Sequence, residues 1–166
     1  MEAMEIFLEP ITLADREDII DIFNYYTENS FAAYTEKPLS YDRFEGFIHS
    51  SWGYPAVMAR DGSGEALGFG MLRPYSSIQA FSSTAELTCF LRHGYTGMGI
   101  GKIVFAHLEA RARELGISSI LASISSLNEG SFRFHLNNGF RECGRLVGVG
   151  QKLGERFDVI YCQKAI

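Results

Sequence analysis

Three stretches of this 166-residue chain hold groups whose type and spacing suit chemistry. The first is TGMGIGK, Thr96 to Lys102, where Gly97, Gly99 and Gly101 alternate just ahead of a strongly helical segment. A helix N-terminus carries unpaired N–H groups and the positive end of the macrodipole, and glycines before it let a bulky anion approach closely. The stretch reads as a phosphate cradle built from the backbone of Thr96, Gly97, Met98, Gly99, Ile100 and Gly101, with Lys102 beside it. A bare tight turn is the alternative, and it would be favoured for one or two glycines. Strict alternation of three, followed by a lysine, favours the cradle. Two common nucleotide motifs do not fit: G-x-x-x-x-G-K-[ST] would need glycine at Thr96 and a hydroxyl at Ile103, and G-x-G-x-x-G would need glycine at Lys102.

The second stretch is TAELTCFL, 84–91. Strand alternation puts Glu86 on one face with Thr88 and Phe90, opposite Leu87, Cys89 and Leu91, in a segment apolar enough to be buried. A carboxylate there would hold a proton more tightly than one in water, as suits a general base. A solvated glutamate at a strand edge is the plain alternative. The third stretch is NEGSFRFHLNNGF, with His135 on a short helix; by itself such a histidine is more often structural than catalytic. His49, His93 and His107 are read as structural. Cys89, Cys143 and Cys162 are odd in number and lack C-x-x-C spacing or a nearby His pair, so they read as reduced core thiols, with no disulfide framework and no metal site.

The elements that must position these groups alternate between strand and helix. A short strand lies near Glu5 to Leu8. PITLADREDIIDIFNYY then opens with a capping-box-like Thr12 and Asp15 and sets Ile19, Ile22, Phe23 and Tyr26 on one helical face. A second short helix starts from Ser40, whose hydroxyl is expected to cap it. PAVMAR and EALGFGMLRPY form a hairpin about DGSG, and TAELTCFL is a third strand beside them. Val104, Leu108, Ala112 and Leu115 make the apolar face of a helix that stops at Gly116, followed by the buried strand ISSILASIS. Asn128 caps the helix that carries His135, and two strands, roughly Glu142 to Lys152 and Phe157 to Gln163, close the chain around GER.

Composition bounds what this assembly can be. With 46% hydrophobic residues and no linker-like tract, residues 1–166 suit one domain with a real core. The 15 basic and 20 acidic residues give a net charge of -5 with no basic stripe, so a nucleic-acid partner is not expected. No segment approaches the length of a membrane span and no membrane partner is expected; the N-terminus is acidic without an apolar run, and the cytoplasm is the expected compartment.

TGMGIGKIVFAHLEARARELGI resembles the acetyl-CoA motif of the GNAT N-acetyltransferases, and NEGSFRFHLNNGF their second signature. GRLVGVGQKLGERFDVIYCQK and PYSSIQAFSSTAELTCFL are similar to the phosphinothricin-acetyltransferase-like branch. Thr96 stands where the family motif has Gln or Arg. The resemblance implies an α/β (α+β) fold, a mixed and mostly antiparallel sheet of six or seven strands with helices on both faces, splayed at its centre. It implies acetyl transfer from acetyl-CoA, as co-substrate and without metal, to the primary amine of a small molecule such as an amino acid or analogue. Glu86 is then the base, and His135, at a position often held by Tyr, the acid for the departing thiolate. Backbone groups of Cys89, Phe90 and Leu91 would pair with the pantetheine arm, assisted by Asn128 and Ser131, whose alternative role is N-capping. Ile78 and Phe81 replace the branch's usual Arg and Tyr, which weakens the grip on an acidic acceptor. The branch also implies a homodimer, with Phe31, Tyr34 and Trp52 as interface candidates. Two other activities fit the motifs: acyl-CoA binding without turnover, and acetylation of protein amines.

Overall fold

The computed structural model describes residues 3–166. Its elements run β1 (Ile6–Pro10), α1 (Arg16–Asn29), α2 (Phe44–His49), β2 (Ala56–Asp61), β3 (Ala66–Pro74), β4 (Thr84–Leu91), α3 (Ile100–Glu114), β5 (Ser119–Ser125), α4 (Glu129–Asn137), β6 (Arg141–Lys152) and β7 (Glu155–Ala165). The capping box forms as the sequence suggests. The Thr12 hydroxyl accepts from Ala14 N–H and the Asp15 carboxylate from Thr12 N–H, ahead of a 3-10 turn that leads into α1. Ser40 departs from expectation: it sits at the start of a 3-10 turn, Tyr41–Arg43, and its hydroxyl makes no capping bond.

One seven-stranded sheet runs in the order β1-β2-β3-β4-β5-β7-β6. All neighbours are antiparallel except β4 and β5. Those two are in register for only three pairs, Thr84↔Ser119, Ala85↔Ile120 and Glu86↔Leu121, although each strand runs further. The sheet therefore splits at its middle directly after Glu86.

Each face carries its own core. Ile19, Ile20, Ile22 and Phe23 of α1 and Phe44 of α2 pack on Met58, Phe69 and Met71. On the other face Val104, Phe105, Leu108 and Ala112 of α3 pack on Leu72, Ala85, Ile120 and Ile160. Each such aliphatic or aromatic side chain removed from water contributes about 1.5–3 kcal/mol. Helix α3 lies so close to β3 that a Cβ on Gly70 would stand 2.4 Å from Val104 Cγ1, so this crossing requires glycine.

The last hairpin turns through Leu153 and Gly154, both at positive φ, and its ladder closes at Lys152↔Glu155. Beside this turn Lys152 is 1% exposed. Its ammonium donates to the carbonyls of Tyr26, Ser30 and Ala33 at 3.2, 2.6 and 2.6 Å, which binds the hairpin to the C-terminal end of α1 and the loop after it. The aromatic residues expected at a subunit interface are partly occupied within the chain: Phe31 meets Phe157 edge-on, Tyr34 stacks on the same ring, and Trp52 is exposed beside His49. All three cysteines are free, but only Cys162 is fully buried, and Cys143, expected in the core, is exposed because it lies on the edge strand β6. Burial pushes the Cys89 thiol up to about 12. Among the described residues no helix is long and apolar enough to cross a membrane.

Candidate active site

The split between β4 and β5 brings two of the three sequence stretches together. Arg92 N–H donates to Leu67 O on β3 at 2.7 Å. By strand alternation the backbone of Phe90 and Thr88 also points to β3, and that of Leu91 and Cys89 points to the side β5 has left. Of the three residues expected to pair with an extended arm, Cys89 and Leu91 thus face the opening, and Phe90 is committed to its partner Phe69. The Tyr26 hydroxyl donates to Leu91 O across this space; burial, then the neighbouring Tyr25 and Cys89, push that phenol up to about 12.

At the same end lies the start of α3. Gly97 and Gly99 adopt left-handed backbone at φ 75° and 84°, which explains glycine at both positions, and Gly99 is the N-cap residue without any side-chain cap. The first N–H returned to the helix is that of Ile103, to Gly99 O, so the N–H groups of Ile100, Gly101 and Lys102 have no intrahelical acceptor. Thr96, Met98 and Lys102 are exposed around them. Phe134 of α4 reaches the same corner: a Cβ on Gly101 would lie 3.1 Å from its ring and 3.8 Å from Leu91 Cδ1. Any Cβ on Gly101 would press on Phe134, so glycine lets α3 pack closely against α4 and β4.

Glu86 projects from the face covered by α1 and α2, at the last paired position before the split. The apolar burial expected for it is not what surrounds it. Its side chain is 28% exposed, and Arg73, directly opposite on β3, sends Nε and Nη2 to the same Oε2 at 2.9 and 2.8 Å. The other face of the strand packs against the α3 core, with Ala85 buried and Leu87, Cys89 and Leu91 partly so, while on this face Glu86 keeps access to solvent. Tyr34 arches over the neighbouring β5, with its hydroxyl 3.0 Å from Ser123 Oγ.

His135 is buried at 8% exposure, with its ring edge-on to Phe134 and Phe140. Nδ1 lies 2.7 Å from Ser131 O. A carbonyl only accepts, so Nδ1 carries the hydrogen and Nε2 the lone pair. Burial pushes the imidazole below its ordinary value, partly opposed by that bond. The Nδ1 hydrogen is thus engaged by Ser131 O. Asn128 caps α4, its Oδ1 accepting from Ser131 N–H at 3.3 Å. Asn128 thus fills the N-capping role, one of the two expected for it.

Phe134, Arg73 and Lys152 were not marked by the sequence. Phe134 adjoins His135 in a recognisable signature and was within reach of a helical-face argument. Arg73 depends on cross-strand register through an irregular connection, and Lys152 on contacts far away in sequence. Two shallow surface depressions, one at the start of α1 and one beside Trp52, lie away from this groove.

The profile of the Acetyltransferase (GNAT) family matches residues 19–140, which spans both the split and the start of α3. The chain belongs to the GNAT acetyltransferase family. Among GNAT relatives it is 30% identical, over 91% of its length and 89% of theirs, to the L-methionine sulfoximine/L-methionine sulfone acetyltransferase of Pseudomonas aeruginosa. It superposes with TM-score 0.91 and 27% identity on a GNAT phosphinothricin acetyltransferase of Sinorhizobium meliloti solved with acetyl-CoA, over 97% of this chain and 88% of that one. It superposes with TM-score 0.89 and 28% identity on a ribosomal-protein-alanine N-acetyltransferase of Brucella melitensis, over 96% and 99%.

Proposed function

We propose that this GNAT protein moves the acetyl group of acetyl-CoA to the primary amine of a small amino acid or amino-acid analogue. One observation carries the reading: the sheet parts directly after Glu86, in an opening whose other end is the uncapped start of α3. Acetyl-CoA supplies a thioester at which the amine forms a C–N bond while the C–S bond breaks and the sulfur leaves as thiolate. The N–H groups of Ile100, Gly101 and Lys102, with the Lys102 ammonium, receive the pyrophosphate. Cys89 and Leu91 offer a free strand edge to the amides of the pantetheine arm, and Tyr26 lets go of Leu91 O for that purpose. Glu86 accepts the proton that the acceptor ammonium must lose before it attacks, and the second proton, shed by that nitrogen as the amide forms, goes to the departing thiolate to give the free thiol. His135 donates no proton in this scheme; it packs the start of α4 against the core through Phe140 and Ser131.

The methionine sulfone and phosphinothricin enzymes support a small acceptor, whereas the ribosomal-protein enzyme supports a second reading, acetylation of a protein α-amine. Incubation with acetyl-CoA and separate amino acids, their sulfones and a peptide panel, followed by thiol release, distinguishes them. Release that depends on a free amino acid is the expected outcome. Release with peptides alone selects the second reading, and none with any amine leaves acyl-CoA binding without turnover. With a productive acceptor, Glu86→Gln is expected to lower kcat by about a hundredfold or more, as loss of a positioned base does, with acetyl-CoA affinity unchanged. An unchanged kcat removes Glu86 from the chemistry.

A further inference from the structure

A carbonyl on an open strand edge needs a donor whenever no ligand supplies one. Strand β5 pairs with β4 only as far as Glu86↔Leu121, so among the described residues Leu91 O has no strand partner on that side. Tyr26, in the last turn of α1, fills the gap with its hydroxyl 2.5 Å from Leu91 O. Burial holds the phenol protonated far above neutral pH, so it remains a donor. Its ring packs against Phe90 and meets Tyr25 edge-on, at centroid separations of 5.3 and 5.2 Å. Tyr25 in turn stacks at 4.3 Å on His93, an exposed residue in the segment that leads from β4 to α3. Phe90, Tyr26, Tyr25 and His93 thus form a chain of rings laid over the end of the strand edge.

The placement bears on how a ligand arm enters. An amide nitrogen that pairs with Leu91 O approaches it to about 2.9 Å. The phenol oxygen already stands closer than that, and the two donors crowd each other. Release does not require α1 to move. Ser30 N–H keeps hold of Tyr26 O, and only the side chain has to turn. One net hydrogen bond biases such an equilibrium by about threefold to tenfold toward the closed form.

We propose that Tyr26 is a clasp on the pantetheine channel: it closes the edge in the free protein, and acyl-CoA docks only in the fraction of molecules whose Tyr26 side chain has turned away. The proposal rests on the acetyl-CoA reading above and adds how that site opens. Apparent affinity is then the intrinsic affinity reduced by the open fraction, and loss of the hydroxyl enlarges that fraction. The clasp therefore acts on association and not on departure.

Stopped-flow association and calorimetric affinity test it with acetyl-CoA, coenzyme A and adenosine 3′-phosphate 5′-diphosphate, which keeps the pyrophosphate and lacks the arm. Tyr26→Phe is expected to raise association rate and affinity for both arm-bearing ligands by about fivefold. Their dissociation rates should stay within about twofold, and the armless nucleotide should bind as it does to the wild type. His93→Ala, which frees Tyr25, should quicken association of acetyl-CoA about twofold in the wild type and leave it unaltered in the Tyr26→Phe background. A single cooperative urea transition checks the fold of each variant. Weaker or unaltered acetyl-CoA binding by Tyr26→Phe, a gain that lies in dissociation, or an equal gain for the armless nucleotide overturns the clasp and leaves acetyl-CoA binding standing. A His93→Ala effect that persists without the Tyr26 hydroxyl overturns it as well. No binding of any of the three ligands, by wild type or variant, overturns the clasp and the cofactor reading together.

Discussion

His135 stands at a signature position in a setting that its neighbours in sequence do not describe. Its depressed basicity comes first from burial, and its one strong partner is a carbonyl that fixes the proton on Nδ1. The unfolded chain therefore binds a proton here more tightly than the folded one, in the pH window just below the ordinary histidine value of about 6.5. Stability contributed by this group is present above that value and falls as pH drops through the window, by up to about 1.4 kcal/mol per pH unit. Urea midpoints between pH 7.5 and 5.5 should fall more steeply for the wild type than for His135→Gln. Parallel curves would mean that the ring binds its proton equally well in the folded and the unfolded chain. The sequence made His135 visible but not its environment, because burial and tautomer depend on Phe140 and on the path of α4. Glu86 was likewise legible by strand alternation; its pairing with Arg73 was not, since β3 and β4 are joined through an irregular segment with a 3-10 turn at Gln79–Phe81.

Between elements, the deciding feature is a lack of pairing. Helix α3 begins at Ile100 and gives way to a left-handed Gly116, much as the glycines and apolar spacing indicate, because helix ends are written in local residue types. The parallel contact of β4 with β5 is non-local, so the sequence could suggest a split only through resemblance, and its position at Glu86 came from the register alone. The split has a direct consequence for the backbone. Amides of Thr88 and Phe90 point to β3, whereas those of Cys89 and Leu91 face the opening. Hydrogen exchange in the free protein should be about a hundredfold or more faster at Cys89 and Leu91 than at their neighbours, in keeping with the wide spread of local opening energies in native proteins. Acetyl-CoA should slow those two amides selectively. Equal protection of all four without ligand would show that the edge is closed in solution.

Across the whole molecule, a sheet joined at its centre by three residue pairs needs other connections between its halves. Part of the connection on the α1 face comes from the C-terminal hairpin. Tyr34, in the loop after α1, bonds Ser123 on β5 and stacks on Phe157 of β7, while Leu153 N–H donates to the Glu36 carboxylate at 3.1 Å. Lys152 is the centre of this strap, because one ammonium supplies three donors to three carbonyls at the end of α1 and in the loop beyond it. Removing it takes the donor from the carbonyls of Ser30 and Ala33, while Tyr26 O keeps the Ser30 N–H, at about 1–3 kcal/mol for each group that water fails to reach. Lys152→Met is therefore expected to destabilise the protein by about 2 kcal/mol or more, and to lower the urea midpoint by about 0.7–2 M given the usual range of denaturant slopes. Lys152→Arg should recover little, since a planar guanidinium cannot direct three donors from a single nitrogen. The same strap holds Tyr34 over the groove, so Lys152→Met should also raise KM for the acceptor while acetyl-CoA affinity, which depends on α3 and β4, stays within about twofold. A midpoint and KM both at wild-type values would show that the two halves are held together without Lys152.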